Sequence, residues 1–232
     1  SNIMSVLIAI PARGGSKRLP RKNIMLLSGK PMVAYSIEAA LESKITDDIW
    51  VCTEDQEIAD ISETYGAQVF RIPPEMATDD VSSTAPCLTL QDHLQEAEGK
   101  QFDYLLNLQP TSPLRNSQDI IASYSMILES QKSFLVSATE IDPHYFHWAL
   151  QKQGKDWQMY FGSKYMKERI YLDDVYRPNG AIKLAKSEQL KKRGNYFGRD
   201  LAVYFMPEER SIHVGTEYDF ICAEAMLRSD LS

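Results

Sequence analysis

Short apolar, β-branched segments alternate with segments of helical periodicity from residue 3 to residue 138. The first apolar run, residues 3–10, is nearly continuous, as expected for a strand that is buried on both faces. After a basic loop, Pro31 opens a helical stretch in which Val33 and Ile37 share one face. Strands that alternate with helices of about 10–15 residues predict a parallel sheet with right-handed crossovers and helices on both of its faces.

The same patterns predict the remaining elements. Further strands are expected at residues 49–53, 68–72, 104–108, 134–138, 180–185 and 202–206. Further helices are expected near residues 58–65, 84–98, 119–128 and 217–227. Residues 141–176 break this rhythm with a concentration of aromatic side chains, which is typical of a lid, a core-covering insertion or an oligomer interface. We find no linker or repeat, and therefore expect a single domain over residues 1–232 with an arm inserted at about 141–176.

The composition is that of a globular protein, with 44% hydrophobic and 25% charged residues. The balance of 25 Lys and Arg against 32 Asp and Glu gives a formal net charge of −7, which disfavours a nucleic-acid partner. No apolar run approaches the roughly 20 residues of a membrane span, and no signal-peptide pattern is present. Three widely spaced cysteines are atypical of a disulfide framework, so we expect a reduced, soluble, cytoplasmic protein.

The charge at the end of the first predicted strand contrasts with this acidic total. Five basic residues lie between residues 13 and 22, and the first acidic residue of the chain is Glu38. Gly14 and Gly15 permit close backbone approach, and exposed N–H groups together with the Ser16 hydroxyl can bind phosphate oxygens. The side chains suited to neutralising a polyphosphate are Arg13, Lys17 and Lys22.

Two other interpretations of this loop compete with a nucleotide site. The loop could be a solvated basic surface, or it could be a patch that binds nucleic acid. Its position favours a site, because ligands of parallel sheets bind beyond the carboxyl ends of the strands. Residues 13–23, 53–55 and 109–115 are all predicted to lie at those ends. The loop has neither the G-x-G-x-x-G fingerprint nor the P-loop signature. The residues therefore indicate a nucleoside triphosphate without selecting its base or the reaction.

Four motifs spread over most of the chain resemble those of the acylneuraminate cytidylyltransferases, which make CMP-sialic acid and related CMP-nonulosonates such as CMP-legionaminate and CMP-pseudaminate. The motifs are A-R-G-G-S-K at 12–17 with K-N at 22–23, Asp79 with S-S at 82–83, Q-P-T-S-P-L-R at 109–115 and R-P-N-G-A at 177–181. The resemblance implies a three-layer α/β/α Rossmann-like fold of the nucleotide-diphospho-sugar transferase type. It further implies a mostly parallel sheet and an inserted dimerisation arm.

The resemblance also implies a reaction and a nucleotide site. The anomeric hydroxyl of an acidic nine-carbon sugar attacks the α-phosphate of CTP, and pyrophosphate leaves, with Mg²⁺ as cofactor. Lys17 and Arg13 are implied as the catalytic cations, and Lys17 is the leading one, because displacement at phosphorus depends on positioning and charge stabilisation. The implied nucleotide contacts are Ala12, Arg13, Ser16, Lys17, Lys22, Asn23 and Ser83.

The sugar contacts implied by the same motifs are Gln109, Ser112, Arg177, Asn179, Tyr196 and Phe197. Structural roles remain open for several residues. Gln109 could pack within a proline-shaped turn, and Arg177 could anchor a loop to a carboxylate. Asp79 could cap the following helix instead of contacting the ligand. Arg115 is a candidate for a structural role.

The sequence departs from the family pattern where the family binds its metal. The family usually carries S-I-D-I-D-T-E, whose two aspartates bind Mg²⁺, whereas residues 211–217 read S-I-H-V-G-T-E. His213 and Gly215 stand at those positions, and neither suits Mg²⁺, which prefers carboxylate oxygens and water. The protein ligands of the metal are thus unknown. The metal could be bound by Glu217 or Asp219, or it could be held by the triphosphate itself. A further alternative is that the protein uses Mn²⁺.

A second departure is Lys183, which stands where the family often has an aromatic residue and could meet the sugar's carboxylate or another substituent. The arm at 141–176 matches the family's dimerisation region. The resemblance therefore implies a homodimer in which Arg169 acts at the partner's active site. His147 is a weaker candidate for the site, and a packed histidine is the simpler interpretation.

The predicted function is transfer of CMP from CTP to the anomeric hydroxyl of a nonulosonic acid. The expected partners are these two small molecules, with neither nucleic acid nor membrane. One alternative is a CMP-transferase for the eight-carbon acid Kdo. Another, motivated by His213 and Gly215, is a nucleotide- or sugar-binding paralogue with weak or absent turnover.

Overall fold

A computed structural model describes residues 4–229, so Ile3, in the first predicted strand, lies outside the described residues. The strands are β1 (Val6–Pro11), β2 (Leu26–Leu27), β3 (Lys30–Pro31), β4 (Ile49–Thr53), β5 (Gln68–Arg71), β6 (Tyr104–Asn107), β7 (Phe134–Ile141), β8 (Leu150–Gln153), β9 (Asp156–Met159), β10 (Val175–Lys186) and β11 (Leu201–Phe205). The α-helices are α1 (Met32–Ser43), α2 (Gln56–Thr64), α3 (Thr84–Glu98), α4 (Ser117–Ser130), α5 (Pro143–His147), α6 (Ser187–Arg193) and α7 (Glu217–Arg228).

Seven strands form one sheet in the order β11-β7-β10-β6-β1-β4-β5. All neighbouring pairs are parallel except those of β10, which runs antiparallel to both β6 and β7. The register of β10 against β7 shifts between Pro178 and Lys183. A proline inside a sheet is tolerated at such an irregularity because it has no N–H to donate to the ladder. The predicted α/β fold with a mostly parallel sheet is confirmed.

Helices cover both faces of the sheet, because alternate residues of each strand point to opposite sides. Val6, Ile8 and Ile10 of β1 pack in one apolar cluster with side chains of α1, α2 and α4. Leu7 and Ala9 pack in a second cluster with side chains of α3 and α6. A smaller cluster joins α7 to the hairpin of β2 and β3. The result is the predicted three-layer arrangement.

The buried side chain of Arg115 ties three elements together beneath the rim of the sheet. It is 2% exposed. Its guanidinium donates to the backbone oxygens of Ala181 at 3.0 Å and Gln109 at 2.9 Å, and to the hydroxyl of Ser36 at 3.1 Å. Burial lowers the pKa of Arg115 to about 10, opposed by the charge of Asp119, so the group is charged at neutral pH.

The segment between β7 and β10 contains α5, the hairpin of β8 and β9, and two short 3₁₀ turns. Its aromatic side chains are largely exposed, among them Tyr145, Trp157 and Tyr171. His147 is an exception: it is 8% exposed and stacks on the ring of Tyr165, with 4.1 Å between centroids. Among residues 4–229, no helix has the length and apolar character needed to cross a bilayer.

Candidate active site

A cavity of about 180 Å³ lies where β1, β4 and β6 end. Its lining includes six of the residues that the sequence singled out: Ala12, Arg13, Lys22, Asn23, Ser83 and Gln109. His213 also lines it. A larger cavity of about 360 Å³ lies at the opposite edge, near Ser187 and the amino end of β6, away from the basic loop. The carboxyl edge is the better candidate, since parallel sheets bind ligands there.

The basic loop is fixed to the end of β4 through its first glycine. The N–H of Gly14 donates to the Glu54 carboxylate, with 2.5 Å between nitrogen and oxygen. A Cβ at Gly14 would lie 2.7 Å from an Asp55 oxygen and 2.9 Å from a Glu54 oxygen, so a larger residue would displace the ends of these side chains. Nothing lies within 4 Å of the corresponding point at Gly15. The open part of the loop therefore begins at Gly15.

Asp79 lies between two cations of the loop. Its carboxylate forms an ion pair with the guanidinium of Arg13 and lies 3.5 Å from the ammonium of Lys17. The hydrogen bond from Arg13 lowers the pKa of Asp79 below its usual value. These residues and Ser16 line a shallow depression that adjoins the cavity.

Lys22 is the unpaired cation of the cavity. Its side chain is half-buried, and no carboxylate of residues 4–229 lies within 4.0 Å of its ammonium group. Burial lowers the pKa of Lys22, and the charges of Arg13 and Arg18 lower it further. A half-buried ammonium without a counter-ion is unfavourable in the free protein, so it favours binding of an anion.

Three polar or small residues complete the nucleotide side of the cavity. The side-chain amide of Asn23 donates to the backbone oxygen of Arg13 at 2.8 Å and so fixes the start of the loop. Its other atom, Oδ1, is buried without a partner among the described residues. The Ser83 hydroxyl accepts from the amide of Asn107 at 3.4 Å. The N–H of Ala12 donates to the backbone oxygen of Cys52 and continues the sheet pairing.

The R-P-N-G segment of β10 lies next to the Q-P-T-S-P-L-R turn. The Ser112 hydroxyl donates to the backbone oxygen of Asn179 at 3.4 Å. The Asn179 amide is buried and bonded to the hydroxyls of Ser137 and Ser211. Arg177 donates to the backbone oxygen of Ser211 at 3.2 Å. Asn179 thus fixes the local backbone, while Arg177 remains partly exposed at the rim.

Six predicted site residues line neither the cavity nor the adjoining depression: Ser112, Arg177, Asn179, Tyr196, Phe197 and Arg169. Tyr196 is 1% exposed and packs in the core beside Cys87, so its ring is not at the surface of the site. Its neighbour Phe197 is about half exposed, but it does not line the cavity. Arg169 lies in the arm, 3.7 Å from the Asp142 carboxylate. The structure brings neither the aromatic pair nor Arg169 to the basic loop within this chain.

The residues at the implied metal position do not fit a magnesium ion. No group of three or more His, Cys, Asp or Glu side chains in the described part of the chain is arranged to hold a metal. Nδ1 of His213 lies 3.3 Å from the Thr111 hydroxyl oxygen. Burial lowers the pKa of the His213 ring. Gly215 supplies no ligand atom. Asp219 accepts from the N–H groups of Gly215 and Thr216 at the start of α7.

Sequence reasoning missed three residues that shape this site. Thr111 holds the His213 ring and accepts the N–H of Val214 through its backbone oxygen. Glu54 fixes the loop at Gly14. Arg18 was counted with the loop cations, but its contact with the segment around Gly215 could not be read from spacing. Thr111 alone carried a signal, because it lies inside the Q-P-T-S-P-L-R motif.

A basic loop and a half-buried lysine lie beyond the carboxyl ends of parallel strands, an arrangement suited to an anionic ligand such as a nucleoside triphosphate. The chain belongs to the cytidylyltransferase family, whose model matches residues 7–204. It is 31% identical over 230 residues to the pseudaminic acid cytidylyltransferase of Campylobacter jejuni, covering 97% of each chain. It is also 31% identical to the CMP-N,N'-diacetyllegionaminic acid synthase of Legionella pneumophila, covering 97% of each.

Further comparisons agree with the family and the fold. The N-acylneuraminate cytidylyltransferase of Escherichia coli is 34% identical over 225 residues, which are 93% of this chain and 50% of that protein. The solved CTP complex of CMP:2-keto-3-deoxy-manno-octonic acid synthetase superposes with a TM-score of 0.72 at 16% identity, covering 96% of this chain and 98% of that chain. This structural likeness concerns the fold alone. The predicted family and the predicted enzyme class, a nucleotidyltransferase, are confirmed.

Proposed function

We propose that this protein transfers CMP from CTP to the anomeric hydroxyl of a nonulosonic acid. The hydroxyl oxygen forms a bond to the α-phosphorus, the bond from that phosphorus to the bridging oxygen breaks, and pyrophosphate leaves with the bonding electrons. The hydroxyl proton is released to solvent. The observation that carries the proposal is the unpaired, half-buried Lys22 in a cavity next to the basic loop. The names of the full-length relatives support this choice of substrates.

The proposed roles follow the order of the site along the rim. Arg13, Ser16 and Lys17 contact the phosphates that leave as pyrophosphate, and Lys22 faces the α-phosphate side. Ala12, Asn23 and Ser83 contact the nucleoside, while Gln109, Ser112 and Arg177 face the sugar. Preorganised cations stabilise the charge that develops on the leaving group, which is the main way a protein accelerates such a displacement. Lys183 makes no ion pair within the described residues, and its half-buried ammonium is available to an acidic sugar.

The metal named by the resemblance would reach the site with the nucleotide. Mg²⁺ or Mn²⁺ binds oxygen ligands, and the triphosphate supplies several of them. Glu217 and Asp219 do not form a group of metal ligands with His213 in the described residues. No role of this chain's residues as metal ligands is therefore included in the proposed mechanism.

The proposed activity predicts pyrophosphate release that depends on both substrates. The purified full chain is incubated with CTP and a panel of pseudaminic, legionaminic, neuraminic and Kdo acids. We expect release with at least one nine-carbon acid and a CMP-sugar of the matching mass, because the rim carries both a triphosphate loop and cations for a carboxylate. The control replaces CTP by GTP or ATP, for which we expect little release.

The outcomes separate the proposed activity from its two alternatives. Release with Kdo in preference to every nine-carbon acid would identify the eight-carbon substrate. Binding of CTP without release, whatever the sugar, would identify a binding paralogue. Preference for GTP or ATP would contradict the cytidylyl assignment.

We propose further that two copies of the chain associate through the segment from α5 to the start of β10. This segment exposes large apolar side chains, of which Tyr145, Ile170 and Tyr171 are at least 71% exposed. Aromatic residues are enriched in the cores of such interfaces. A second copy would also bring Arg169 near the site of the first, where the resemblance places it.

The proposed dimer predicts twice the chain mass of 26.4 kDa in light scattering after size exclusion. The double replacement Tyr145→Lys and Ile170→Lys should shift the protein to the monomer, because charge at an apolar interface is costly. The matched control places lysine at the exposed Tyr218, outside the segment. A wild-type monomer at working concentrations would contradict the proposal.

The surroundings of the cysteines support a reducing compartment, and we propose the cytoplasm. Cys52, Cys87 and Cys222 are all free. Burial raises the thiol pKa of both Cys52 and Cys87, which makes them poor nucleophiles. Stable free thiols are typical of proteins kept reduced.

A further inference from the structure

We propose that Arg18 and Lys22, rather than a carboxylate-held divalent ion, neutralise the triphosphate on the side of the site formed by His213 and Gly215. The inference rests on the proposed function, because it concerns the same nucleotide. It assigns a binding role to Arg18, and it predicts that CTP binds without a divalent metal.

Arg18 lies over Gly215, at the place where a side chain at this position would begin. A Cβ on Gly215 would be 2.8 Å from Nη2 of Arg18 and 3.5 Å from its Cζ. No positive φ requires glycine here, so the absent side chain matters for space rather than for backbone conformation. The glycine thus leaves room for a guanidinium, a cation, beside the turn that precedes α7.

The carboxylates around the loop already have other partners, apart from Oε2 of Glu54, which is buried without one among the described residues. Asp219 accepts from two N–H groups at the start of α7, and these bonds lower its pKa although burial opposes them. Glu54 accepts from Gly14, Asp55 pairs with Arg21, and Asp79 pairs with Arg13. None of them forms a metal-ligand group in the described part of the chain. A free divalent ion would therefore find no ready set of oxygen ligands.

Basic side chains surround the part of the site that Lys22 and His213 line. Arg18 makes no ion pair among residues 4–229, and its charge acts on Lys22, which lines the cavity together with His213. The charges of Lys22, Lys183 and Arg177 all act on the His213 ring and add to the effect of burial in lowering its pKa. The charge of Asp219 opposes them at His213, and that of Asp79 acts on Lys22 in the opposite direction to the neighbouring arginines. Such a field repels a divalent cation and attracts a polyphosphate.

The test is calorimetric titration of the full chain with CTP alone, in EDTA and in Mg²⁺. For the wild type we expect the two dissociation constants to agree within about threefold. Arg18→Ala should weaken binding in EDTA by about tenfold, because a charge-assisted contact to phosphate is lost. Arg18→Gln serves as a second variant that keeps the side-chain length. Arg228→Ala, an exposed arginine at the far end of α7, should bind as the wild type does.

A pair of substitutions that introduces carboxylates tests positions 213 and 215 directly. His213→Asp with Gly215→Asp should make CTP binding dependent on Mg²⁺, with a loss of about tenfold or more in EDTA. Electron paramagnetic resonance of Mn²⁺ without nucleotide provides a readout independent of activity. We expect bound Mn²⁺ in the double variant and none in the wild type.

Each result decides the inference. Wild-type binding that requires Mg²⁺, Mn²⁺ held by the wild-type protein alone, or equal losses in Arg18→Ala and Arg228→Ala would overturn it while leaving the proposed function intact. No CTP binding under either condition would overturn both. Metal-independent binding that is weakened at Arg18 would support it.

Discussion

Replacing Lys17 by alanine should lower the turnover number of CMP-sugar formation by about two to three orders of magnitude. The ammonium group of Lys17 lies at the mouth of the site, 3.5 Å from the carboxylate of Asp79. In the proposed reaction it stabilises the charge that develops on pyrophosphate, so its loss acts on the transition state more than on binding. The measurement is steady-state pyrophosphate release at saturating CTP and sugar.

The Lys17→Ala substitution should leave the stability of the fold unchanged, so any loss of turnover reports on the reaction. The Lys17 side chain is 90% exposed, and an exposed ion pair contributes about 0–1 kcal/mol to stability. Urea unfolding should therefore give nearly the wild-type free energy. Lys192→Ala, another exposed lysine, is the matched control and should retain full activity. A turnover number within about threefold of the wild type would remove Lys17 from the mechanism.

Replacing Arg115 by alanine should lower the free energy of unfolding by about 3–5 kcal/mol. Its guanidinium satisfies the backbone oxygens of Gln109 and Ala181 and the hydroxyl of Ser36, all in the interior. Removing the guanidinium deletes three buried hydrogen bonds and opens a cavity, although the Gln109 oxygen still accepts from the N–H of Ser112 and from the Ser36 hydroxyl. Urea denaturation monitored by circular dichroism measures the effect.

The control for Arg115 is Arg199→Ala, an exposed arginine for which we expect a change within about 0.5 kcal/mol. Arg115→Lys should recover only part of the loss, because an ammonium group cannot reach three partners in the geometry of the fork. A loss below about 1 kcal/mol in Arg115→Ala would show that water or neighbouring groups replace these bonds.

The positions of the parallel strands along the sequence were predictable because most of them are short apolar runs followed by a helical segment. The bounds of β7 and β10 were not. Residues 139–141 of β7 pair with 175–177 of β10, and both stretches contain polar or aromatic side chains without a strand period. Their pairing is a tertiary effect, and single-sequence periodicity carries no information on it.

The candidate site, like the fold, was predictable from the sequence only in part. Local motifs located the loop, Lys22 and Gln109, because residues close in sequence share a turn. The burial of Tyr196 and the approach of Arg18 to Gly215 join segments far apart in sequence. Neither of these features can be inferred from the spacing of residues along the sequence. A motif thus identifies the residues of a site more readily than it shows which of them face one another.

The antiparallel strand β10 follows a long excursion of the chain, and most of the proposed site residues precede that excursion. Because β10 runs against its neighbours, the segment that joins it to β7 leaves the rim and returns to it without crossing the sheet. All residues proposed to contact the nucleoside and phosphates precede β7, apart from the turn at His213. The excursion can therefore change in length or sequence without disturbing the strand ends that carry the proposed nucleotide contacts.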